Sequence, residues 1–330
     1  MTNAVNVADH KETSKLKDYL QLTKPSLNIM VVFSSVISYL LAPNVVAYDW
    51  SLIGLLFVAG FLVTGSANAI NQVVEKETDA QMKRTARRPV ASGRMSTEAA
   101  WTFAIIAGAA GVFLLGYFFN WLSAGLAVFS LFLYAFIYTP LKKLNAIAVF
   151  VGAFPGALPC LIGWTAGTGL FFPFDQLVVG GRMYTNAGGW LLFGLQFLWQ
   201  FPHFWAIAWI AHKDYSSAGF KLLPSEKGPT RFTAMQTVIY SSMLIPVGII
   251  PYFIQMSGLV SLVIIVVANI FLITQCIRLY NEMSVKAARR VMFSSYIYLP
   301  IVLLALLGDK ISPAQKGELG DLIIVVSNFI

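Results

Sequence analysis

Charged residues are scarce in this sequence. Asp, Glu, Lys and Arg make up 12% of its 330 residues, whereas an ordinary soluble domain carries about twice that share. Cysteine is scarce as well: only Cys160 and Cys276 occur, each inside an apolar stretch, and no CxxC or Cys/His cluster exists. A disulfide framework and a zinc site are therefore not expected, and both cysteines are expected to be packing residues.

Apolar residues, by contrast, fill 57% of the sequence. A transmembrane helix needs roughly 20 mostly apolar residues, and such windows recur at about 27–43, 50–72, 98–119, 122–141, 145–165, 188–211, 232–255, 258–280 and 290–307. The bilayer core leaves no water for unpaired backbone groups, so only helices or a closed barrel can span it. Because the windows are long and continuous, they predict an all-α polytopic membrane protein with about nine transmembrane helices.

The basic residues predict the orientation of these helices. If the N-terminus lies inside, nearly all of the 23 Lys and Arg residues fall in inside segments, which is the positive-inside pattern. Membrane orientation thus accounts for the net charge of +8, and no nucleic-acid partner is expected. We expect one domain over 1–330 in the cytoplasmic (inner) membrane, with a cytoplasmic tail at 1–24 and a C-terminal tail at 308–330. No removable signal peptide is expected.

The stretch NQVVEKETDAQMKRTARRPVASG, 71–93, concentrates charge between two apolar windows. Asn71, Glu75 and Asp79 follow one another at four-residue spacing, which stacks them on one face of a helix. Carboxylate and amide oxygens suit Mg²⁺, which in proteins is usually bound by carboxylates together with substrate phosphates. Arg84 and Arg88 follow, and guanidinium groups bind phosphate oxygens in bidentate fashion.

These features favour a diphosphate site at the inner membrane surface. The competing interpretation is a solvated loop whose charges pair with one another. Asn68 and Asn71 argue against it, because they lie where the helix should still be apolar and polar groups at that depth need partners.

A second dense stretch, LWQFPHFWAIAWIAHKDYSSAGFKLLP, occupies 198–224. Pro202 should kink the helix there, and aromatic residues surround His203. The plain alternatives are a histidine whose hydrogen bonds are satisfied by a neighbour and a solvated Lys213–Asp214 ion pair.

Both stretches resemble signatures of the UbiA superfamily of intramembrane prenyltransferases. The first resembles N-x-x-x-D-x-x-x-D, with Glu75 in place of the first Asp, and MKRTARRP fits best the haem O synthase (protohaem IX farnesyltransferase) branch. WQFPHF with KDYSSAGFKLLP resembles the second signature of that branch, and YTPLKK resembles a Y-x-x-x-K element. The wider superfamily carries D-x-x-x-D in the second region, whereas only Asp214 is present here.

The resemblance implies a UbiA-type helical bundle with a cytoplasmic-side active site. It implies catalytic and Mg²⁺-binding roles for Asn71, Glu75, Asp79 and Asp214, diphosphate-binding roles for Arg84, Arg88, Lys142 and Lys213, and haem contact by His203. The implied reaction transfers a farnesyl group from farnesyl diphosphate to a vinyl group of protohaem IX, with addition of water, giving haem O. Haem is then a substrate, and haem A synthase or oxidase assembly factors become expected partners.

Two other functions stay open at this point. One is a prenyltransferase of the same superfamily acting on a quinone precursor or a chlorin. The other is a transporter, which would place ionisable residues near the membrane midplane, whereas nearly all charges here lie at helix ends or in loops. The Gly- and aromatic-rich segment 166–189 is expected to form a surface loop or a partial lid.

Overall fold

A computed structural model describes residues 14–225 and 227–311 of the chain. Most of each predicted tail, including DLIIVVSNFI at the C-terminus, lies outside the described residues. The helices are α1 (Lys15–Thr23), α2 (Pro25–Leu41), α3 (Trp50–Val74), α4 (Lys76–Gln81), α5 (Thr97–Phe118), α6 (Trp121–Phe132), a π-helix (Leu133–Tyr138), α7 (Thr139–Leu141), α8 (Ala148–Thr168), α9 (Ala187–Ile210), α10 (His212–Ser217), α11 (Arg231–Phe253), α12 (Leu259–Glu282) and α13 (Val285–Gly308).

The predicted all-α membrane class is confirmed, but the count of nine spans is not. Within the described residues, seven helices are long and apolar enough to cross a membrane, or eight if α1 and α2, bent by 47°, form one span. The chain is thus a multi-pass integral membrane protein. Helix α9 has the length of a span but is not among the seven, because Gln196, Gln200 and His203 make it more polar. All three of these side chains are buried in the protein.

Helix α8 forms the centre of the bundle. It packs against α2, α6 and α9, while α3 pairs with α5, and α11, α12 and α13 pack side by side. Small residues let the backbones approach closely, as is usual where helices pack in membranes. At Gly163 of α8, an added Cβ would overlap the carbonyl oxygen of Ser35 on α2.

Two prolines inside α8 are accommodated by its neighbours. Pro159 lacks the N–H that would bond the carbonyl of Pro155, and the Ser130 hydroxyl donates to that carbonyl instead (3.3 Å). From α9, Gln196 donates to the Gly156 carbonyl (2.7 Å) and Gln200 to that of Ala153 (3.1 Å). Neighbouring side chains thus satisfy the backbone around proline, as spanning helices require.

Segment 166–189 contains a β-hairpin that the sequence analysis missed. β1 (Gln176–Val179) pairs with β2 (Arg182–Thr185) in antiparallel register. The two turn residues, Gly180 and Gly181, have φ of 58° and 77°, and positive φ at both central residues is what a tight hairpin turn needs. A Gly-Gly pair between the segments QLVV and RMYT, which both contain β-branched residues, was a sequence signal for this hairpin. Cys160 and Cys276 are both buried and free, as the packing prediction required.

The contact of α2 with α8 predicts the effect of enlarging Gly163. Gly163→Ala should lower the free energy of unfolding by about 1–3 kcal/mol, because a methyl group forced into a filled contact shifts the backbones apart. Gly125→Ala on α6 is the matched control, since no atom lies within 4 Å of its added Cβ. Thermal unfolding in detergent should rank Gly163→Ala below wild type and Gly125→Ala level with it or above. Equal melting temperatures for both variants would contradict the packing.

Candidate active site

The four-residue spacing of Asn71, Glu75 and Asp79 persists through a helix break. Helix α3 ends at Val74, and Glu75 caps both α3 and α4. The Glu75 N–H still donates to the Asn71 carbonyl (3.0 Å) and the Asp79 N–H to the Glu75 carbonyl (2.7 Å). The backbone therefore keeps its helical repeat, and the three side chains enter one cavity.

This cavity has a volume of about 130 Å³ and lies at the end of the bundle where α3 meets α4. Six of the predicted site residues line it: Asn71, Glu75, Asp79, Arg84, Arg88 and Lys142. Three others, Lys213, Asp214 and His203, are not among its lining residues.

Each acidic side chain of the cavity has a basic partner. Arg88 pairs with Asp79 at 2.6 Å, and the Asp79 side chain is fully buried. Lys142 pairs with Glu75 at 2.8 Å, and both side chains are less than a tenth exposed. The Asp79–Arg88 pair joins two charges of the loop, as the alternative interpretation held, whereas Glu75 pairs with a residue of a distant segment. Both carboxylates are paired in a buried cavity rather than in solvent.

Burial also affects the protonation of Asp79. It raises the pKa of this carboxyl, and the neighbouring Arg88 guanidinium opposes the shift. The Asp79 carboxylate thus depends on positive charge beside it to stay ionised.

The oxygen atoms in the cavity could bind a divalent cation whose coordination shell is completed by substrate oxygens. Asp79 Oδ1 is buried with no hydrogen-bond partner among the described residues, and the Glu75 carboxylate and Asn71 amide lie along the same helical face. No group of three or more His, Cys, Asp or Glu side chains in 14–225 and 227–311 could hold a metal. Two carboxylates with substrate phosphates are a usual arrangement for Mg²⁺, so a complete protein cage is not required.

A π-helix brings aromatic hydroxyl groups to the cavity. Tyr134 and Tyr138 both line it, and the Lys142 ammonium lies 4.5 Å from the Tyr138 ring centroid. Pro140 lies two residues after the π-helix and has no N–H for the usual bond to the Phe136 carbonyl, so a π-turn suits this position. The Tyr134 carbonyl accepts both the Thr139 N–H and the Thr139 hydroxyl, the latter at 2.8 Å.

The loop around α10 closes the other side of the cavity. The Arg84 guanidinium donates to the Tyr215 hydroxyl (2.6 Å) and lies over its ring at 4.9 Å. The Arg84 N–H reaches Asp214 Oδ2 at 3.4 Å, and the Lys221 N–H donates to the Lys142 carbonyl (2.8 Å). Asp214 thus contacts the arginine loop, while its metal-binding role and the diphosphate role of Lys213 stay predictions.

His203 lies apart from this cavity, between α9 and α13. Its Nδ1 is 2.9 Å from the Ser295 hydroxyl. Its ring stacks on Trp199 with 4.9 Å between the ring centroids, and the Tyr296 ring lies nearly perpendicular to it with 4.8 Å between the centroids. A neighbour therefore satisfies one ring nitrogen, as the plain alternative proposed.

Lys24 is a site residue that the sequence analysis did not identify. It lies in the bend between α1 and α2, where its φ of 50° is unusual for a side-chain-bearing residue, and its ammonium donates to Asn71 Oδ1 (3.1 Å). A lysine directly before the proline that begins an apolar window was the available signal. Tyr134 was missed for a different reason, since α-helical periodicity does not describe a π-turn.

The Asp79–Arg88 pair predicts a stability effect. Arg88→Ala should lower the free energy of unfolding by about 1–3 kcal/mol, because it leaves a buried carboxylate without its charged hydrogen bond. Arg87→Ala is the control, since Arg87 is exposed and has no side-chain partner among the described residues. Adding Asp79→Asn should restore part of the loss. If chemical unfolding in detergent gave the same midpoint for both single arginine variants, the pair would contribute nothing to folding.

Comparison with known proteins gives consistent results. The chain matches the UbiA prenyltransferase family over residues 31–297. It is 42% identical over 301 residues to the protohaem IX farnesyltransferase of Cytophaga hutchinsonii, covering 90% of this chain and 99% of the relative. It is 34% identical to the mitochondrial protohaem IX farnesyltransferase of Arabidopsis thaliana, and the match covers 91% of this chain and 67% of the relative.

Solved structures share the fold. A structure reported in work on digeranylgeranylglyceryl phosphate synthase superposes with a TM-score of 0.71 at 22% identity, covering 90% of this chain and 99% of the other. A UbiA homologue from Archaeoglobus fulgidus, bound to GPP and Mg²⁺, superposes with a TM-score of 0.58 at 14% identity, covering 88% and 99%. With its helical bundle and the acidic and basic cavity at the α3–α4 break, the chain belongs to the UbiA prenyltransferase family.

Proposed function

We propose that this chain is a protohaem IX farnesyltransferase. It transfers the farnesyl group of farnesyl diphosphate to a vinyl group of protohaem IX, with addition of water, and forms haem O and diphosphate. The observation that carries the proposal is the 42% identity over 90% of the chain to a protein of that name. The charged cavity at the α3–α4 break supports it, since it suits a diphosphate beside a divalent cation.

The leaving group binds in this cavity. Arg84, Arg88, Lys24 and Lys142 present positive charge to the diphosphate oxygens, and Lys213 approaches from the α10 loop. Asn71, Glu75 and Asp79 hold Mg²⁺, with Asp214 on the opposite loop. The bound cation neutralises charge that develops on the departing diphosphate.

The reaction begins when the bond between farnesyl C1 and the diphosphate oxygen breaks, and the electron pair leaves with diphosphate. The vinyl π electrons of haem then form a carbon–carbon bond to the allylic cation. Water adds its oxygen to the carbon that becomes positive and releases a proton. Tyr134 and Tyr138 line the cavity beside the leaving group.

The acceptor binds on the α9 side of the bundle. The aromatic residues around His203 suit a flat, apolar macrocycle, and His203 contacts the haem. Lys213 or a loop arginine contacts a propionate. The chain acts as a single domain of the cytoplasmic membrane with its N-terminus inside, and haem A synthase or oxidase assembly factors are its partners.

A turnover assay tests the reaction. The purified protein in detergent receives protohaem IX, farnesyl diphosphate and Mg²⁺, and mass spectrometry should detect haem that has gained a farnesyl unit plus water. Asp79→Ala and omission of Mg²⁺ should each abolish this product, because the charge on the leaving group is then uncompensated. Prenylation of a quinone precursor or a chlorin supplied in parallel, without any haem product, would retain the diphosphate site and refute the haem assignment.

The position of Lys24 predicts a role in diphosphate binding. Lys24→Met should raise the KM for farnesyl diphosphate by roughly 10- to 100-fold, the equivalent of about 1.5–3 kcal/mol for one hydrogen bond to a charged group. Lys17→Met on α1 is the control, since Lys17 is exposed and does not line the cavity. Initial rates at varied farnesyl diphosphate decide the matter, and an unchanged KM in Lys24→Met would exclude Lys24 from the diphosphate site.

A further inference from the structure

Ser295 of α13 makes three hydrogen bonds around the buried His203. They bear on which ring nitrogen of His203 carries the hydrogen and on the orientation of the ring. Its hydroxyl donates to the Met292 carbonyl one turn earlier on α13 (2.7 Å). Its oxygen also lies 2.9 Å from His203 Nδ1. A serine hydroxyl has one proton to donate, and that proton is directed to Met292. With that proton on the Met292 carbonyl, the Ser295 oxygen accepts at the histidine contact and Nδ1 carries the hydrogen of the imidazole.

This tautomer leaves the other ring nitrogen, Nε2, with a free lone pair. Within 14–225 and 227–311, no hydrogen bond to Nε2 occurs. His203 as a whole is 7% exposed, so its ring is mostly but not completely shielded. A neutral imidazole with one nitrogen donating to a fixed acceptor and the other open is the usual form of a metal-ligating histidine.

The same serine also fixes the ring beside the histidine. The Trp199 indole N–H donates to the Ser295 carbonyl (2.8 Å), and Trp199 stacks on His203 with an interplanar angle of 16°. Ser295 therefore holds two aromatic rings that lie one turn apart on α9, one through its backbone and one through its side chain. Neither ring can rotate without losing a hydrogen bond to α13.

His203 lies close to the lipid-facing surface of the bundle. Tyr296, whose ring centroid lies 4.8 Å from that of His203, is 45% exposed. Its neighbours Phe293 and Ile297 on α13 are more than half exposed, as side chains that face lipid are. One aromatic ring thus separates the imidazole from the bilayer, and a flat apolar ligand can reach it from the membrane along the seam between α9 and α13.

We propose that Ser295 is a positioning residue for a haem-iron site, in which it holds His203 as the Nδ1–H tautomer so that Nε2 binds the iron of a haem entering between α9 and α13. This inference rests on the proposed function for the identity of the ligand. To the proposed function it adds the atom that binds the haem iron, His203 Nε2, and the residue that orients it, Ser295. It also adds the side from which haem enters, between α9 and α13.

Haem titration of the full-length protein in detergent tests the site. The wild-type protein should bind ferrous haem with an iron–histidine stretching band in its resonance Raman spectrum, and His203→Ala should lose that band. Ser295→Ala should weaken haem binding by roughly 10- to 100-fold, as is typical when the partner of a ligating histidine is removed, and should shift the band. Ser295→Thr should restore both, because it keeps the hydroxyl.

Ser294→Ala is the matched control. Ser294 is the preceding residue on α13, is also buried, and donates only to the Arg290 carbonyl of its own helix (2.7 Å). Removing its hydroxyl should leave haem affinity and the Raman band at wild-type values. Size-exclusion profiles of all variants, run beside the spectra, identify any variant that fails to fold.

Three outcomes overturn the inference: a wild-type spectrum without an iron–histidine band, a His203→Ala spectrum that keeps it, or equal effects of Ser295→Ala and Ser294→Ala. The wild-type and His203→Ala spectra decide the matter even if Ser295→Ala does not fold. The proposed function fails separately. If haem is farnesylated but the spectra show no histidine ligation, the proposed function stands and the His203 site is refuted. If haem is bound by the histidine but is never farnesylated, the site stands and the proposed function is refuted.

Discussion

Two buried carboxylates at the break between α3 and α4 determine the arrangement of the segments around them. Glu75 and Asp79 are almost completely removed from water, and a charge in such a place is tolerated only with a cation and hydrogen bonds beside it. Arg88 comes from the same loop, but Lys142 lies 67 residues from Glu75 along the chain. The need to neutralise Glu75 thus joins α3 to the segment after the π-helix, and the Lys142 carbonyl in turn holds the α10 loop through Lys221.

In these pairings, each charged side chain of the site can exchange its protein partner for a ligand of the same charge as that partner. In the structure, Arg88 and Lys142 neutralise the carboxylates, and Lys24 occupies the Asn71 oxygen. If the proposed function holds, a diphosphate competes for these cations, and the carboxylates can release them only to another positive charge. Binding of a divalent cation and binding of the diphosphate are then coupled through the protein's own ion pairs.

Much of this site could be predicted from the sequence, because charge is rare in such an apolar chain. The four-residue spacing from Asn71 to Asp79 and the two arginines after it identified five residues that line one cavity, and the YTPLKK element added Lys142. Lys24 and Tyr134 escaped because their positions depend on backbone departures, a left-handed residue before Pro25 and a π-turn before Pro140, that regular periodicity does not describe. The Arg84–Tyr215 contact joins loops 131 residues apart, and no local pattern determines such a pairing.

Helix α9 shows why the number of spans was harder to predict than the class. Hydropathy treats every side chain as if it met lipid, yet Gln196 and Gln200 of α9 serve the proline-interrupted backbone of α8. On an adjacent face, Trp199 and His203 are held by Ser295 of α13. The polar groups that lower the hydropathy of α9 therefore make hydrogen bonds inside the protein, some with α8 and others with α13. A helix of this kind is stable in a membrane only within its bundle. Its least apolar segment has to contact other helices rather than lipid, because its polar side chains need hydrogen-bond partners.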